Sequence, residues 1–177
     1  MPNSTSVRQA LSDDAALIAR MGARTFMDSF GHSNPPEDID EYIATHFSIA
    51  QIATELQDPA ATYLLLFEDE VAIGYAKVLA GEAPPTIRGP APVELVRIYL
   101  EQDVTGKGHG AKLLQACLDT IGRKGFETIW LGVWERNDRA IRFYEKWGFR
   151  RVGELTFVLG SQRQTDFVME RPVVPGS

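Results

Sequence analysis

Gly106, Gly108 and Gly110 stand at the end of a strand-like run, Val93-Glu94-Leu95-Val96-Arg97-Ile98-Tyr99-Leu100, and at the start of a helical one, Ala111-Lys112-Leu113-Leu114. A glycine-rich turn between strand and helix gathers unpaired backbone N–H groups at the positive end of the helix dipole, a setting that suits phosphate oxygens. The spacing therefore predicts a site for a phosphorylated ligand. Formally, Gly106-Lys107-Gly108-His109-Gly110-Ala111 also matches the dinucleotide pattern G-x-G-x-x-A, with Glu135 as a ribose-binding acid after the next strand. That pattern follows a first strand, however, and too little chain remains beyond Glu135 for the strand and helix units such a fold requires.

Other reactive side chains point elsewhere. Cys117 falls between Leu114 and Leu118 on an apolar helical face and reads as core, not as an acyl carrier. His32, His46 and His109 lack metal-ligand spacing, so no metal is expected. Within the glycine turn His109 is expected to offer its backbone N–H, with an imidazole beside the phosphates as the other use. Trp130 and Trp134 share one face of a strand and read as core or interface, with an acceptor pocket as the alternative.

The elements that must position these residues alternate along the chain. Val7-Arg8-Gln9-Ala10 reads as a short strand. Ser12-Asp13-Asp14 then caps a helix carrying Leu17, Ile18, Met21, Phe26 and Phe30, which Gly31 is placed to stop. A helix after Asn34-Pro35-Pro36 and another after Ser48 lead to a hairpin, Tyr63 to Phe67 and Val71 to Leu79, joined by Glu68-Asp69-Glu70. Beyond the glycine turn, Leu113, Leu114, Cys117, Leu118 and Ile121 form an apolar face that ends near Gly125. Thr128 to Trp134 is a buried strand, Asp138 caps a helix that Gly148 ends, and two closing strands turn at Gly160-Ser161. The pattern is α/β with a mixed, largely antiparallel sheet.

Composition narrows the partners. The chain's 177 residues fit one domain, with 44% hydrophobic and 24% charged residues in the range of globular proteins. A net charge of −6 argues against nucleic acid and favours cationic small molecules or basic peptides. Neither a secretory signal in Met1-Pro2-Asn3-Ser4-Thr5-Ser6 nor a membrane-spanning stretch is visible, and the single cysteine fits a reducing compartment, so the cytoplasm is expected.

Thr105-Gly106-Lys107-Gly108-His109-Gly110, followed by Asn137-Asp138-Arg139-Ala140-Ile141-Arg142-Phe143-Tyr144 and then Gly148-Phe149, resembles the Gcn5-related N-acetyltransferases (GNAT). Their glycine loop reads Gln/Arg-x-x-Gly-x-Gly/Ala and their later helix Asn-x-x-Ala-x-x-Phe-Tyr before Gly-Phe. Thr105 departs from the usual Gln or Arg, which implies weaker outer contacts. The resemblance covers nearly the whole chain, with a core over about residues 5–172. Thr25-Phe26-Met27-Asp28-Ser29-Phe30-Gly31, Trp130-Leu131-Gly132-Val133-Trp134-Glu135 and Gln164-Thr165-Asp166-Phe167-Val168-Met169 look like the bacterial spermidine/spermine branch.

The resemblance implies a single acyl-CoA N-acyltransferase domain that binds acetyl-CoA and an amine together and uses no covalent enzyme intermediate. An alkylamine with a pKa near 10.4 costs about 4–5 kcal/mol to deprotonate at neutral pH, so the proton needs an acceptor and the departing thiolate a donor. Glu94 is the implied proton acceptor or ammonium-binding carboxylate; it is expected to share a strand face with Ile98 if the strand is regular. Tyr144 is the implied proton donor. Main-chain groups of Ile98, Tyr99 and Leu100 would pair with the pantetheine arm, and the amide near Ile98 would meet the carbonyl oxygen. Thr105, Gly106, Lys107, Gly108, His109, Gly110 and Ala111 would hold the diphosphate. Asn137 would fix the pantetheine arm or the helix entry, and Lys146, like Lys107, would meet phosphates. The implied acceptor is a polyamine such as spermidine or spermine, attracted by Asp28, Glu37, Asp38, Asp40 and Glu41. A peptide or protein α-amine, and a noncatalytic acyl-CoA sensor, are the rivals. A homodimer stays open.

Overall fold

The computed structural model describes residues 3–174, so residues 1–2 and 175–177 of the expected single domain, and Met1 and Pro2 of the leader reading, lie outside the described residues. Seven strands form one sheet: β1 (Thr5–Gln9), β2 (Ala61–Glu68), β3 (Val71–Ala80), β4 (Pro92–Leu100), β5 (Thr128–Trp134), β6 (Arg150–Leu159) and β7 (Gln162–Pro172). Their order is β1-β2-β3-β4-β5-β7-β6, and every neighbouring pair is antiparallel except β4 with β5. The mixed, largely antiparallel α/β architecture expected from the sequence is the one observed.

Helices cover both faces. On one lie α4 (His109–Arg123) and α5 (Asp138–Lys146), whose Leu113, Leu114, Cys117, Ile121 and Tyr144 pack on Leu64, Val93, Leu95, Ile129 and Leu131. On the other lie α1 (Ala15–Phe30), α2 (Pro36–His46) and α3 (Ile49–Gln57), which enclose Ile18, Met21, Phe26, Ile39 and Ile52 with Tyr63, Leu65 and Tyr75. Strand alternation divides the two cores: Leu64 and Leu66 face one side, Tyr63 and Leu65 the other.

Two local expectations are corrected. Helix α1 does end at Phe30, but Gly31 keeps a right-handed φ of −62°, so the helix does not end through a left-handed glycine. Its start is held from outside: Asp14 accepts from the Leu11 amide at 2.7 Å and from both guanidinium ends of Arg8. The cap of α5 is Asn137, whose Oδ1 accepts from the Ala140 amide at 3.2 Å, and not Asp138, which is the first helical residue. Among the described residues no helix is long and apolar enough to cross a membrane.

Candidate active site

Strands β4 and β5 pair only over Pro92, Val93 and Glu94, matched to Thr128, Ile129 and Trp130. Beyond that point β4 stays paired with β3 as far as Leu100, and β5 with β7 as far as Trp134. The two inner edges therefore part, leaving a wedge between residues 95–100 and residues 131–134. The register of β3 against β4 explains the divergence: Val78 pairs with Leu95 and Lys77 with Arg97, so Val96 is an extra, bulged residue. A bulge bends its strand and sharpens the local twist.

That bulge also corrects the expected alignment of Glu94. In a regular strand Glu94 and Ile98 would share a face; with Val96 inserted, Ile98 and Leu100 pack with the α4–α5 core, whereas Tyr99 packs with the α1–α3 core. Glu94 takes the α1–α3 side, where it feels Lys77 and Arg97. Burial pushes its carboxyl above the ordinary glutamate range, against the opposing pull of those two cations.

At the open end of the wedge, β4 runs through a 3-10 turn (Gln102–Val104) into the glycine turn. Gly106 and Gly108 adopt φ of +80° and +81°, the left-handed region that other L-residues rarely occupy. Gly108 caps α4, and the first helical bond recorded there runs from the Lys112 amide to Gly108. The amides of His109, Gly110 and Ala111 thus have no acceptor within their helix and project from its positive end. Thr105 uses its hydroxyl locally, donating to the Gln102 carbonyl at 2.9 Å.

The other side chains assigned to phosphate contacts are distributed unevenly. Lys107 is exposed on the turn itself. Lys146 lies in the last turn of α5, about 10 Å along the helix axis from Arg139. Arg139, which sequence reasoning did not single out, is closer: its Nη2 lies 3.9 Å from where a side chain on Gly106 would begin. The His109 imidazole does not face the turn. It is buried, with Nε2 3.7 Å from a Glu68 carboxylate oxygen on β2.

The wedge opens into a cavity of about 650 Å³ that collects Glu94, Arg97, Tyr99, Asn137 and Tyr144. Its remaining walls include aromatic side chains, from Phe26, Phe30 and Tyr42 on the helices to Trp130, Trp134 and Phe157 on the strands. Trp130 and Trp134 line the cavity, the alternative that the sequence left beside core or interface, and Trp130 is buried as well. Tyr144 is 9% exposed, between Phe143 and Phe149, and burial holds its phenol protonated far above its ordinary range. Its hydroxyl hydrogen-bonds to no described protein group. Cys117 is fully buried, its thiol pushed up to about 12, as befits core packing.

None of the acids expected to attract a polycation, Asp28, Glu37, Asp38, Asp40 and Glu41, lines this cavity. Asp38 instead anchors the turn between β6 and β7, accepting from the Ser161 hydroxyl at 3.0 Å. The cavity's acids are Glu94 and Asp166; the latter accepts from Gln164 at 3.0 Å and faces the space left by Gly132. In the sequence Asp166 stood only within Gln164-Thr165-Asp166-Phe167-Val168-Met169, a stretch that resembles the spermidine/spermine branch, with no role of its own.

The model of the acetyltransferase (GNAT) family matches residues 23–149. An uncharacterized N-acetyltransferase of Lactobacillus delbrueckii subsp. lactis is 31% identical over 166 residues, covering 94% of this chain and 96% of the relative. One from Mycobacterium tuberculosis is 35% identical over 161 residues, 91% of this chain and 99% of the relative. A spermidine N(1)-acetyltransferase of Thermoplasma acidophilum is 23% identical over 174 residues, 95% and 97% of the two chains. Among solved structures, the PaiA N-acetyltransferase of Thermoplasma acidophilum in complex with coenzyme A superposes with a TM-score of 0.75 at 22% identity. That match covers 96% of this chain and 99% of the other.

Proposed function

The chain belongs to the acetyltransferase (GNAT) family, and from that premise we propose that it moves the acetyl group of acetyl-CoA directly onto a primary amine held in the cavity beside Glu94 and Tyr144, all within one catalytic domain. The observation that carries this reading is the parting of β4 from β5 beyond Glu94 and Trp130, on the strand that leads through a 3-10 turn to the free amides of the glycine turn.

The residues present fit the coenzyme. Free edge groups along residues 95–100 can pair with the amide-bearing pantetheine arm as an added strand would. The first-turn amides of α4, with the Arg139 guanidinium beside them, suit a diphosphate. When bound, acetyl-CoA supplies a thioester carbonyl to be attacked by the amine nitrogen, with the carbon–sulfur bond breaking as the carbon–nitrogen bond forms. Glu94 takes the proton the amine loses, directly or through water, and its raised pKa improves it as a base near neutrality. Tyr144 donates a proton to the departing sulfur, having no protein partner to compete for it. A main-chain N–H just past the Val96 bulge stabilises the carbonyl oxygen as negative charge develops.

A polyamine acceptor such as spermidine or spermine is one finer reading, supported by the name of the Thermoplasma relative and by the two cavity acids, Glu94 and Asp166. A second reading, an α-amine with an acid group close by, as in a peptide or amino acid, is favoured by the buried cation Arg97 on the same cavity wall. Free thiol released from acetyl-CoA, assayed across spermidine, spermine, amino acids and short peptides, tests the transfer and ranks the acceptors. Tight binding of acetyl-CoA with no thiol released from any amine would instead mark a sensor.

A further inference from the structure

Arg97 is 9% exposed and faces the cavity. No carboxylate among the described residues lies within 4.0 Å of its guanidinium. Its surroundings are aromatic: the Phe47 ring centre is 4.4 Å from Cζ, the Tyr63 hydroxyl 3.4 Å from Nη1, and Tyr42, Tyr75 and Tyr99 complete the enclosure. Burial keeps all four tyrosines protonated, so none offers a counter-charge.

The carboxylate within this layer is already engaged. Glu55 accepts from Lys77 at 2.9 Å, from Gln51 at 3.0 Å and from the Tyr63 hydroxyl. Glu94 lies three residues earlier on the same face of β4, beyond ion-pair distance. Burying a cation without a partner is strongly unfavourable, and a guanidinium presents a planar fork of N–H donors that matches a carboxylate or phosphate. The phenol oxygens of Tyr63 and Tyr42 are neutral acceptors and leave that fork without a charged partner.

We propose that Arg97 binds an anionic group, a carboxylate or a phosphate, carried by the acceptor itself, so that the acceptor is a small zwitterion rather than a pure polycation. This rests on the reading of the cavity as the acceptor site. Glu94 and Arg97 are at most about 10 Å apart along the strand, which fits a molecule with its amine and its anion a few bonds apart. A polyamine would bring only positive charge to a cavity whose lining already holds Arg97 and Arg136.

The test uses matched amines differing in one anionic group: alanine with alaninamide, β-alanine with β-alaninamide, and phosphoethanolamine with ethanolamine, alongside spermidine. Charged hydrogen bonds of this kind correspond to about 10- to 100-fold in kcat/KM, read as thiol release. The wild-type protein should favour the anionic member of at least one pair by that factor, the amino-acid pairs reporting a carboxylate site and the ethanolamine pair a phosphate site. In Arg97→Gln the ratio should fall toward one, and in Arg97→Lys it should stay above one. Because the wild-type ratio is itself a test, the inference stays falsifiable even if Arg97→Gln does not fold. Preference for spermidine or for the uncharged partners, or a ratio unchanged in Arg97→Gln, would overturn it. Binding of acetyl-CoA without thiol release from any amine would overturn instead the acceptor-site reading on which it stands.

Discussion

Replacing Tyr144 with Phe separates the chemistry of the phenol from its packing. The ring is 9% exposed, in edge-to-face contact with Phe143 and Phe149, and Phe fills the same space. Its hydroxyl has no described protein partner, so the substitution breaks no internal hydrogen bond. Removing a cavity-facing hydroxyl that no protein group holds leaves stability within about 1 kcal/mol, which for a chain of this size shifts Tm by no more than about 4 °C. Loss of a positioned proton donor, in contrast, lowers kcat by about 10²- to 10⁴-fold. Thermal unfolding, calorimetric titration with acetyl-CoA and continuous thiol release make up the assay. Expected are an unchanged or slightly raised Tm, unchanged coenzyme affinity and the full loss in kcat. Undiminished kcat would show that the phenol does not protonate the leaving sulfur. A Tm lowered by more than about 4 °C would show that a protein group holds the hydroxyl after all.

Glu94→Gln should lower kcat by about 10²- to 10⁴-fold and abolish the acid limb of the pH–rate profile. Glu94 must be ionised to take a proton, and burial raises its pKa, so the wild-type limb should fall above the free-glutamate value of about 4.3; a limb that persists in the Gln variant would exclude this role. Gly108→Ala meets no atom within 4 Å, so its cost is the left-handed backbone alone, about 1–2 kcal/mol. Gly125→Ala, at φ +89° and equally open, should cost the same stability, yet only the Gly108 variant should weaken coenzyme A binding, by tenfold or more in titration calorimetry. Glu55 is held below its ordinary range because bonds from Tyr63, Gln51 and Lys77 outweigh the opposing effect of burial. Its contribution to stability is therefore present above the unfolded pKa and lost as pH falls through the lower folded value. Glu55→Gln should remove that dependence in denaturant titrations and cost about 3–5 kcal/mol by leaving Lys77 unpaired.

The sequence carried the coenzyme side of the site openly because the demands there are local. Gly106, Gly108 and Gly148 mark left-handed positions that few other residues fill, and Asn137 caps a helix three residues before Ala140. The acceptor side was far less legible. Nothing in Val93-Glu94-Leu95-Val96-Arg97-Ile98 announces a bulge, because a bulge is set by register against β3, and missing it put Glu94 and Ile98 on one face. Arg97 looked like an ordinary polar position in a strand; only the enclosure by Phe47, Tyr42, Tyr63, Tyr75 and Tyr99 makes it a buried cation. The acids of α1 and α2 form a visible charge run but point away from the cavity. Asp166, given no role from sequence, and Trp130, for which an acceptor pocket was the alternative to core or interface, are brought to it by the pairing of β5 with β7.

A crystal structure with coenzyme A bound tests the central claim most directly. The pantetheine arm should lie between β4 and β5 beyond Glu94 and Trp130, with its diphosphate on the amides of residues 108–111. Coenzyme A bound elsewhere, or a wedge that closes into continuous β4–β5 pairing, would contradict it.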